Sequence, residues 1–192
     1  MTATASSYPL RFDVEYPERL SRWLIFVKWL LAIPHLIVLY VLGILAMLFT
    51  FIAWFAILFT GRYPQGLFNF VVGYYRWDAN LSAYILLMRD EYPPFTMEAG
   101  RYPVTLEVDY PERLSRWLIF VKWLFVIPSA IVLMLLGTVY YVVLLIAWFA
   151  ILITGRHPKA LFNFGVGVIR WSFRVNAYSY LMTDKYPPFS LS

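Results

Sequence analysis

The sequence predicts an all-α integral membrane protein made of two tandem repeats, each with a short β-strand outside the bilayer. Hydrophobic residues make up 61% of the chain and charged residues only 14%, a balance outside the range of soluble domains. The apolar residues are concentrated in long uncharged runs, which are typical of helices that lie in lipid. The chain also aligns with itself, without a gap, when it is shifted by 94 positions. Such self-similarity indicates a repeated structural unit.

The internal repeat is strongest at the start of each copy. Residues 16–34 read YPERLSRWLIFVKWLLAIP and residues 110–128 read YPERLSRWLIFVKWLFVIP, so only two positions differ. The register holds to the YPPF motifs at 92–95 and 186–189. We therefore predict a first membrane repeat over residues 8–95, a linker over 96–101 and a second membrane repeat over 102–189.

Each repeat opens on a predicted strand. In residues 10–16, and again in 104–110, apolar residues alternate with charged or polar ones. That period is typical of a half-buried strand. Because an open strand edge cannot be satisfied in hydrocarbon, we expect both strands to lie outside the bilayer. They could pair with each other or with the YPPF segments.

The next segment, residues 18–33, can be drawn as an amphipathic helix at the membrane interface. Basic residues on one side would face lipid headgroups, and tryptophans would lie at the boundary of the acyl chains. We expect Pro34 to end or kink this helix. The predicted interface anchors are Arg19, Arg22, Trp23, Lys28, Trp29, Arg113, Arg116, Trp117, Lys122 and Trp123.

Two further segments of each repeat are candidates for spanning helices. Residues 36–59 are uncharged, and at ~1.5 Å per residue they are long enough to cross ~30 Å of hydrocarbon. Residues 65–88, with their equivalents 159–182, carry polar residues on one helical stripe. The predicted intramembrane polar stripe is Asn69, Arg76, Asn80, Asn163, Arg170 and Arg174. It belongs either to a second spanning helix, with the stripe turned away from lipid, or to an in-plane helix.

Topology favours two spans per repeat. Both copies then insert in the same direction, which places the two nearly identical interfacial helices on one leaflet. Most lysines and arginines would share that side, and by the positive-inside rule the termini are cytoplasmic. We therefore expect four spans and a pseudo-twofold axis along the membrane normal. The alternative is one span plus one in-plane helix per repeat.

Nothing in the sequence indicates an enzyme. The chain has no cysteine and two histidines, His35 and His157, neither of which recurs at its repeat equivalent. We expect no catalytic residues, no metal and no cofactor. Nucleic-acid binding is not expected either, because the basic residues lie beside membrane segments and among acidic ones.

The YPERLSR opening, the AWFAILFTGRYPQGLFNF passage and the closing YPPF together resemble the DUF4389 family, a prokaryotic membrane family described as a domain of unknown function. The resemblance covers nearly the whole chain, once per repeat. It implies a prokaryotic cytoplasmic membrane but no activity, substrate or cofactor.

From these residues we predict a non-enzymatic protein that acts through contacts, such as an accessory, assembly or scaffold subunit of a larger membrane complex. Its expected partners are membrane lipids and either a membrane protein or a second copy of the chain. In this interpretation the polar stripe holds the two repeats together. The alternative is a small lipid- or anion-handling channel or carrier that uses the arginines of the stripe.

Overall fold

The computed structural model describes residues 8–192, which form four long helices and a two-stranded sheet. In each repeat the strand comes first, and the two helices that follow pack against each other. The elements are β1 Leu10–Val14, α1 Lys28–Thr60, α2 Gln65–Ile85, β2 Val104–Val108, α3 Leu118–Thr154 and α4 Lys159–Ser179, with a single 3-10 turn at Leu24–Phe26 before α1. The predicted tandem organisation and the two predicted strands are thus confirmed.

The two strands pair with each other, antiparallel and symmetrically. Phe12 lies opposite Leu106 at the centre of the pairing, and these two residues are repeat equivalents. A pseudo-twofold axis therefore passes between them. Alternation buries the apolar side chains on one face of the sheet. The outer face carries the exposed side chains of Arg11, Asp13, Thr105 and Glu107.

Each strand packs on a helix of the other repeat. β1 contacts α4 and β2 contacts α2, and the rings of Phe12 and Phe173 lie 5.3 Å apart. The long helices α1 and α3 pack on α2 and α4, respectively. The order of layers along the axis is therefore the sheet, then α2 with α4, then α1 with α3.

The long helices α1 and α3 run antiparallel. Phe26, just before α1, packs on Trp148 near the end of α3, with ring centroids 5.1 Å apart. Trp54, near the end of α1, packs on Phe120 at the start of α3 at 5.2 Å. Each long helix thus begins beside the end of the other.

This arrangement fixes how α1 and α3 lie relative to the axis. Phe26 and Phe120 are repeat equivalents, as are Trp54 and Trp148, and equivalent residues lie at the same height along a twofold axis. Residues in contact also lie at nearly the same height. Both ends of each long helix are therefore level, and α1 and α3 lie across the axis.

The predicted insertion of these two helices in the same direction, along the axis, is therefore wrong. That prediction assumed that both YPERLSR segments, residues 16–22 and 110–116, lie at the same end of the α1 and α3 pair. In the structure, each segment lies beside the C-terminal end of the other repeat's long helix. In residues 8–192, α1 and α3 are the two helices long and apolar enough to cross a membrane, with 33 and 37 residues.

The predicted separate interfacial helix is also wrong. Residues 18–23 are not helical, and Pro34 lies inside α1. A proline removes one helical hydrogen bond and crowds the preceding turn, but polar groups nearby can compensate. Pro34 leaves the Leu30 carbonyl without its helical donor, yet α1 runs on to Thr60, and α3 likewise continues through Pro128. On the next carbonyl, that of Leu31, the Tyr92 hydroxyl donates at 3.1 Å.

Candidate functional site between the sheet and the helices

The arginines of the polar stripe lie between the sheet and helices α2 and α4. The Nε of Arg76 donates to the Leu106 carbonyl at 3.2 Å, and the Nε of Arg170 donates to the Phe12 carbonyl at 2.7 Å. These contacts are repeat equivalents, and both reach the strand residues on the axis. Each arginine thus attaches its own helix to the strand of the other repeat.

The second repeat makes more of these contacts than the first. Arg170 also donates from Nη1 to the Leu191 carbonyl at 3.1 Å, and its Nη2 lies 3.3 Å from Asp13 Oδ1. Arg174 donates from Nη1 to the Ser192 carbonyl at 2.8 Å. The residues that follow α4 are therefore held against the helix by two guanidinium groups.

The first repeat has a cleft at the equivalent place. Asn80 stands where the second repeat has Arg174, and with Arg76 it lines a cleft of about 290 Å³ beside β2 and the linker between the repeats. In the second repeat, the guanidinium of Arg174 stacks on the Tyr8 ring, 5.4 Å from its centroid. The difference between Asn80 and Arg174 therefore makes the two halves of the interface unequal.

Not every member of the predicted stripe belongs to this interface. Arg76, Asn80, Arg170 and Arg174 lie at it, but Asn69 and Asn163, near the starts of α2 and α4, are exposed. The helical period placed all six side chains on one face of each helix. The sheet covers only the middle of that face.

Two of the predicted interface anchors are buried. Lys28 and Lys122 are each 2% exposed, although we expected both to face lipid headgroups. Lys28 Nζ lies 2.8 Å from Asp90 Oδ1 and donates to the Arg89 carbonyl at 2.6 Å. It also lies 5.0 Å from the centre of the Tyr84 ring. Burial is tolerated because the charge has an acidic partner, a carbonyl and an aromatic face.

The second repeat reproduces this arrangement. Lys122 Nζ lies 2.8 Å from Asp184 Oδ1 and donates to the Thr183 carbonyl at 2.7 Å. Sequence reasoning missed both aspartates, although a signal was present. Asp90 and Asp184 are identical repeat equivalents, whereas the residues on either side of them differ between the copies.

The other eight predicted anchors are exposed. Trp23 and Trp117 are 80% and 82% exposed, and Trp29 and Trp123 are also largely exposed. The exposed arginines among these anchors are Arg19, Arg22, Arg113 and Arg116. Among them, Arg22 and Arg116 lie over Gly155 and Gly61, where the long helix of one repeat ends beside the start of the other.

Neither histidine lies in a site with other possible metal ligands. His35 is buried, accepts a hydrogen bond from the Trp77 indole at 2.8 Å and stacks on the Phe95 ring. His157 is buried after α3, and burial lowers its pKa below the ordinary value. Among the described residues, no group of three or more acidic or histidine side chains could hold a metal ion.

We expect the two equivalent arginines to contribute unequally to stability. Replacing Arg170 with methionine should cost more than the same change at Arg76, because Arg170 serves two carbonyls and a carboxylate whereas Arg76 serves one carbonyl. A hydrogen bond from a charged group contributes about 1.5–3 kcal/mol. Thermal unfolding of both variants in the same detergent tests this order. Equal losses of stability would contradict it.

Comparison with known proteins supplies a family but no activity. No curated protein matches the chain, and no solved structure does. One family, described as a domain of unknown function, matches residues 22–97 and again residues 116–190. These two matches cover most of the chain and fall on the two repeats. The chain therefore belongs to the DUF4389 family, with two tandem copies of the domain.

Proposed function

We propose that this protein is a non-enzymatic, membrane-embedded scaffold, an accessory or assembly subunit of a larger membrane complex. The surface of α1 and α3 carries this proposal. From Trp29 to Thr60 and from Trp123 to Thr154 the chain has no charged residue, yet much of this surface is exposed. Tyr40 is 73% exposed and Met134 is 67% exposed. Soluble monomers rarely expose an apolar surface of this extent.

The sheet suggests how the molecule lies in the bilayer. If α1 and α3 crossed the bilayer, the pseudo-twofold axis would lie in the membrane plane and the sheet would lie at mid-depth. The outer face of the sheet, with Arg11, Asp13 and Glu107, would then face hydrocarbon at a cost of several kcal/mol. We therefore place the axis along the membrane normal, with the sheet in water and α1 and α3 within one leaflet.

A role through contacts fits the polar groups better than transport does. The guanidinium groups of Arg76 and Arg170 bond to strand carbonyls, and Arg174 bonds to the Ser192 carbonyl. These contacts favour a structural role for the stripe over a polar path through the protein. The outer face of the sheet, with its mixture of acidic and basic groups, is the surface that we assign to a partner.

Single cysteines can test the membrane arrangement cleanly, since the chain has no native cysteine. We expect cysteines at Glu18, Gln65 and Thr105 to react with an impermeant maleimide from the same side of sealed vesicles. Glu18 and Gln65 flank α1, and all three positions are exposed. If Glu18 and Gln65 react from opposite sides, α1 crosses the bilayer and the proposed arrangement is wrong.

Purification after crosslinking in native membranes can test the scaffold role. We expect a stoichiometric partner to be retained by the unmodified chain and to be lost when Thr105 on the outer face of the sheet is changed to arginine. A matched control is Gln65→Arg, which adds the same group at an exposed position away from the sheet. A chain that elutes alone in all three preparations would contradict the proposal.

A further inference from the structure

Three arginines come together at each end of the α1 and α3 pair. Arg19, Arg22 and Arg156 line one cleft of about 410 Å³, together with Leu20, Thr154 and Gly155. Their repeat equivalents at the other end are Arg113, Arg116 and Arg62. We call these two groups the arginine clusters. In residues 8–192 none of the six forms an ion pair.

Reciprocal backbone contacts hold each cluster in place. The Leu20 amide donates to the Gly155 carbonyl at 2.9 Å, and the Leu114 amide donates to the Gly61 carbonyl at 2.9 Å. Gly155, with φ at +70°, closes α3, and a Cβ on it would lie 3.5 Å from Arg22 Nε. Each cluster therefore forms only when one repeat's opening segment meets the end of the other repeat's long helix.

The end of the helix accounts for part of this charge. A cation near a helix C-terminus is favourable because the last carbonyls carry partial negative charge. That explains Arg22, which lies over the end of α3, and by symmetry Arg116. The helix end does not explain the other two exposed arginines of each cluster, which are Arg19 with Arg156 and Arg113 with Arg62. These side chains repel each other unless an anion lies between them.

An apolar groove lies one to two helical turns from each cluster. Beside the cluster of Arg62, Arg113 and Arg116, the groove has a volume of about 780 Å³ and is lined mainly by Met47, Phe51, Trp54, Ile119, Trp123 and Val126. The groove at the other end is smaller, about 370 Å³, and includes Tyr141, Leu144 and Trp148. An arginine cluster therefore lies next to an apolar groove at both ends of the α1 and α3 pair.

We propose that each end binds one anionic phospholipid, with the phosphate between the three guanidinium groups and an acyl chain in the adjoining groove. Guanidinium groups suit phosphate because they donate in a planar fork. A net negative headgroup is favoured over a zwitterionic one, because each cluster carries three positive charges and no acidic partner. The inference rests on the proposed membrane embedding of α1 and α3, but not on the proposed partner complex.

Native mass spectrometry of the full chain in a neutral detergent can test this site. With phosphatidylglycerol we expect two lipids bound per chain, and with phosphatidylcholine much weaker binding. The triple variant Arg19→Gln, Arg22→Gln and Arg156→Gln should keep one tight site and lose the other, by about fivefold in affinity per arginine. A variant at Arg19 and Arg156 alone leaves Arg22 on the helix end and should show an intermediate loss.

The control removes three charges elsewhere, at Arg11, Arg101 and Lys185, and should leave both sites intact. An equal loss in that control would overturn the proposal in favour of a general effect of charge. Competition with inorganic phosphate separates a lipid site from an anion site. If phosphate displaces phosphatidylglycerol at equal concentration, the groove contributes nothing and the lipid assignment is wrong. Failure of the membrane proposal itself is seen independently, in the maleimide labelling pattern.

Discussion

Replacing Asp90 with alanine is expected to cause a larger loss of stability than removal of any exposed charge in the chain. Lys28 is 2% exposed, and its ammonium lies 2.8 Å from Asp90 Oδ1. Without the carboxylate a buried positive charge remains unpaired, which typically costs about 3–5 kcal/mol. The same aspartate also accepts the Ser21 amide at 2.5 Å, so the chain that leads into α1 is loosened as well. Thermal unfolding in detergent measures the effect.

A second substitution separates the charge effect from a general loss of packing. Changing Lys28 to methionine in the Asp90→Ala background removes the unpaired charge, and an apolar replacement of a buried ion pair is often nearly neutral. We expect the double variant to recover most of the lost stability. Asp184→Ala should behave like Asp90→Ala, because Lys122 has the same geometry. A double variant no more stable than Asp90→Ala would show that the pair has another role.

The strands and the tandem repeat could be predicted from sequence because both are local patterns. Alternation over seven residues defines the faces of β1 and β2 without reference to any other part of the chain. The pairing of Phe12 with Leu106 was not predicted, because the sequence left pairing with the YPPF segments equally open.

The start of α1 could not be predicted from such a pattern. An amphipathic helix could be drawn through Arg22 and Lys28, but the two side chains have different partners. Lys28 pairs with Asp90, which lies after α2, and Arg22 lies over Gly155 in the other repeat. Both partners are distant in sequence, so helical period alone assigned the two cations to one surface.

The antiparallel relation of α1 and α3 was beyond sequence reasoning for the same reason. Counting arginines and lysines near apolar runs assumes that each run crosses the bilayer. The aromatic contacts of Phe26 with Trp148 and of Trp54 with Phe120 set the direction instead. Identical YPERLSR segments therefore lie at opposite ends of the helix pair and yet at the same height along the axis.

Changing Gly165 to valine is expected to destabilise the second repeat strongly. A Cβ on Gly165 would lie 2.7 Å from the Tyr140 ring and 2.9 Å from Met88 Cε. The Tyr140 ring cannot move freely, because it is only 8% exposed between α3 and α4. Overpacking of a filled core typically costs about 1–3 kcal/mol, and sometimes more. Thermal unfolding of the variant provides the measurement.

The first repeat supplies the matched rescue for this substitution. It has Ala46 where the second has Tyr140, and Val71 where the second has Gly165. Both Ala46 and Val71 are fully buried. The first repeat therefore fills this space with the side chains of Ala46 and Val71, whereas the second fills the equivalent space with the Tyr140 side chain alone. Tyr140→Ala combined with Gly165→Val recreates the first repeat's pair and should be more stable than either single variant. Additive losses in the double variant would mean that the two positions do not share one space, and that the asymmetry between the repeats arises elsewhere.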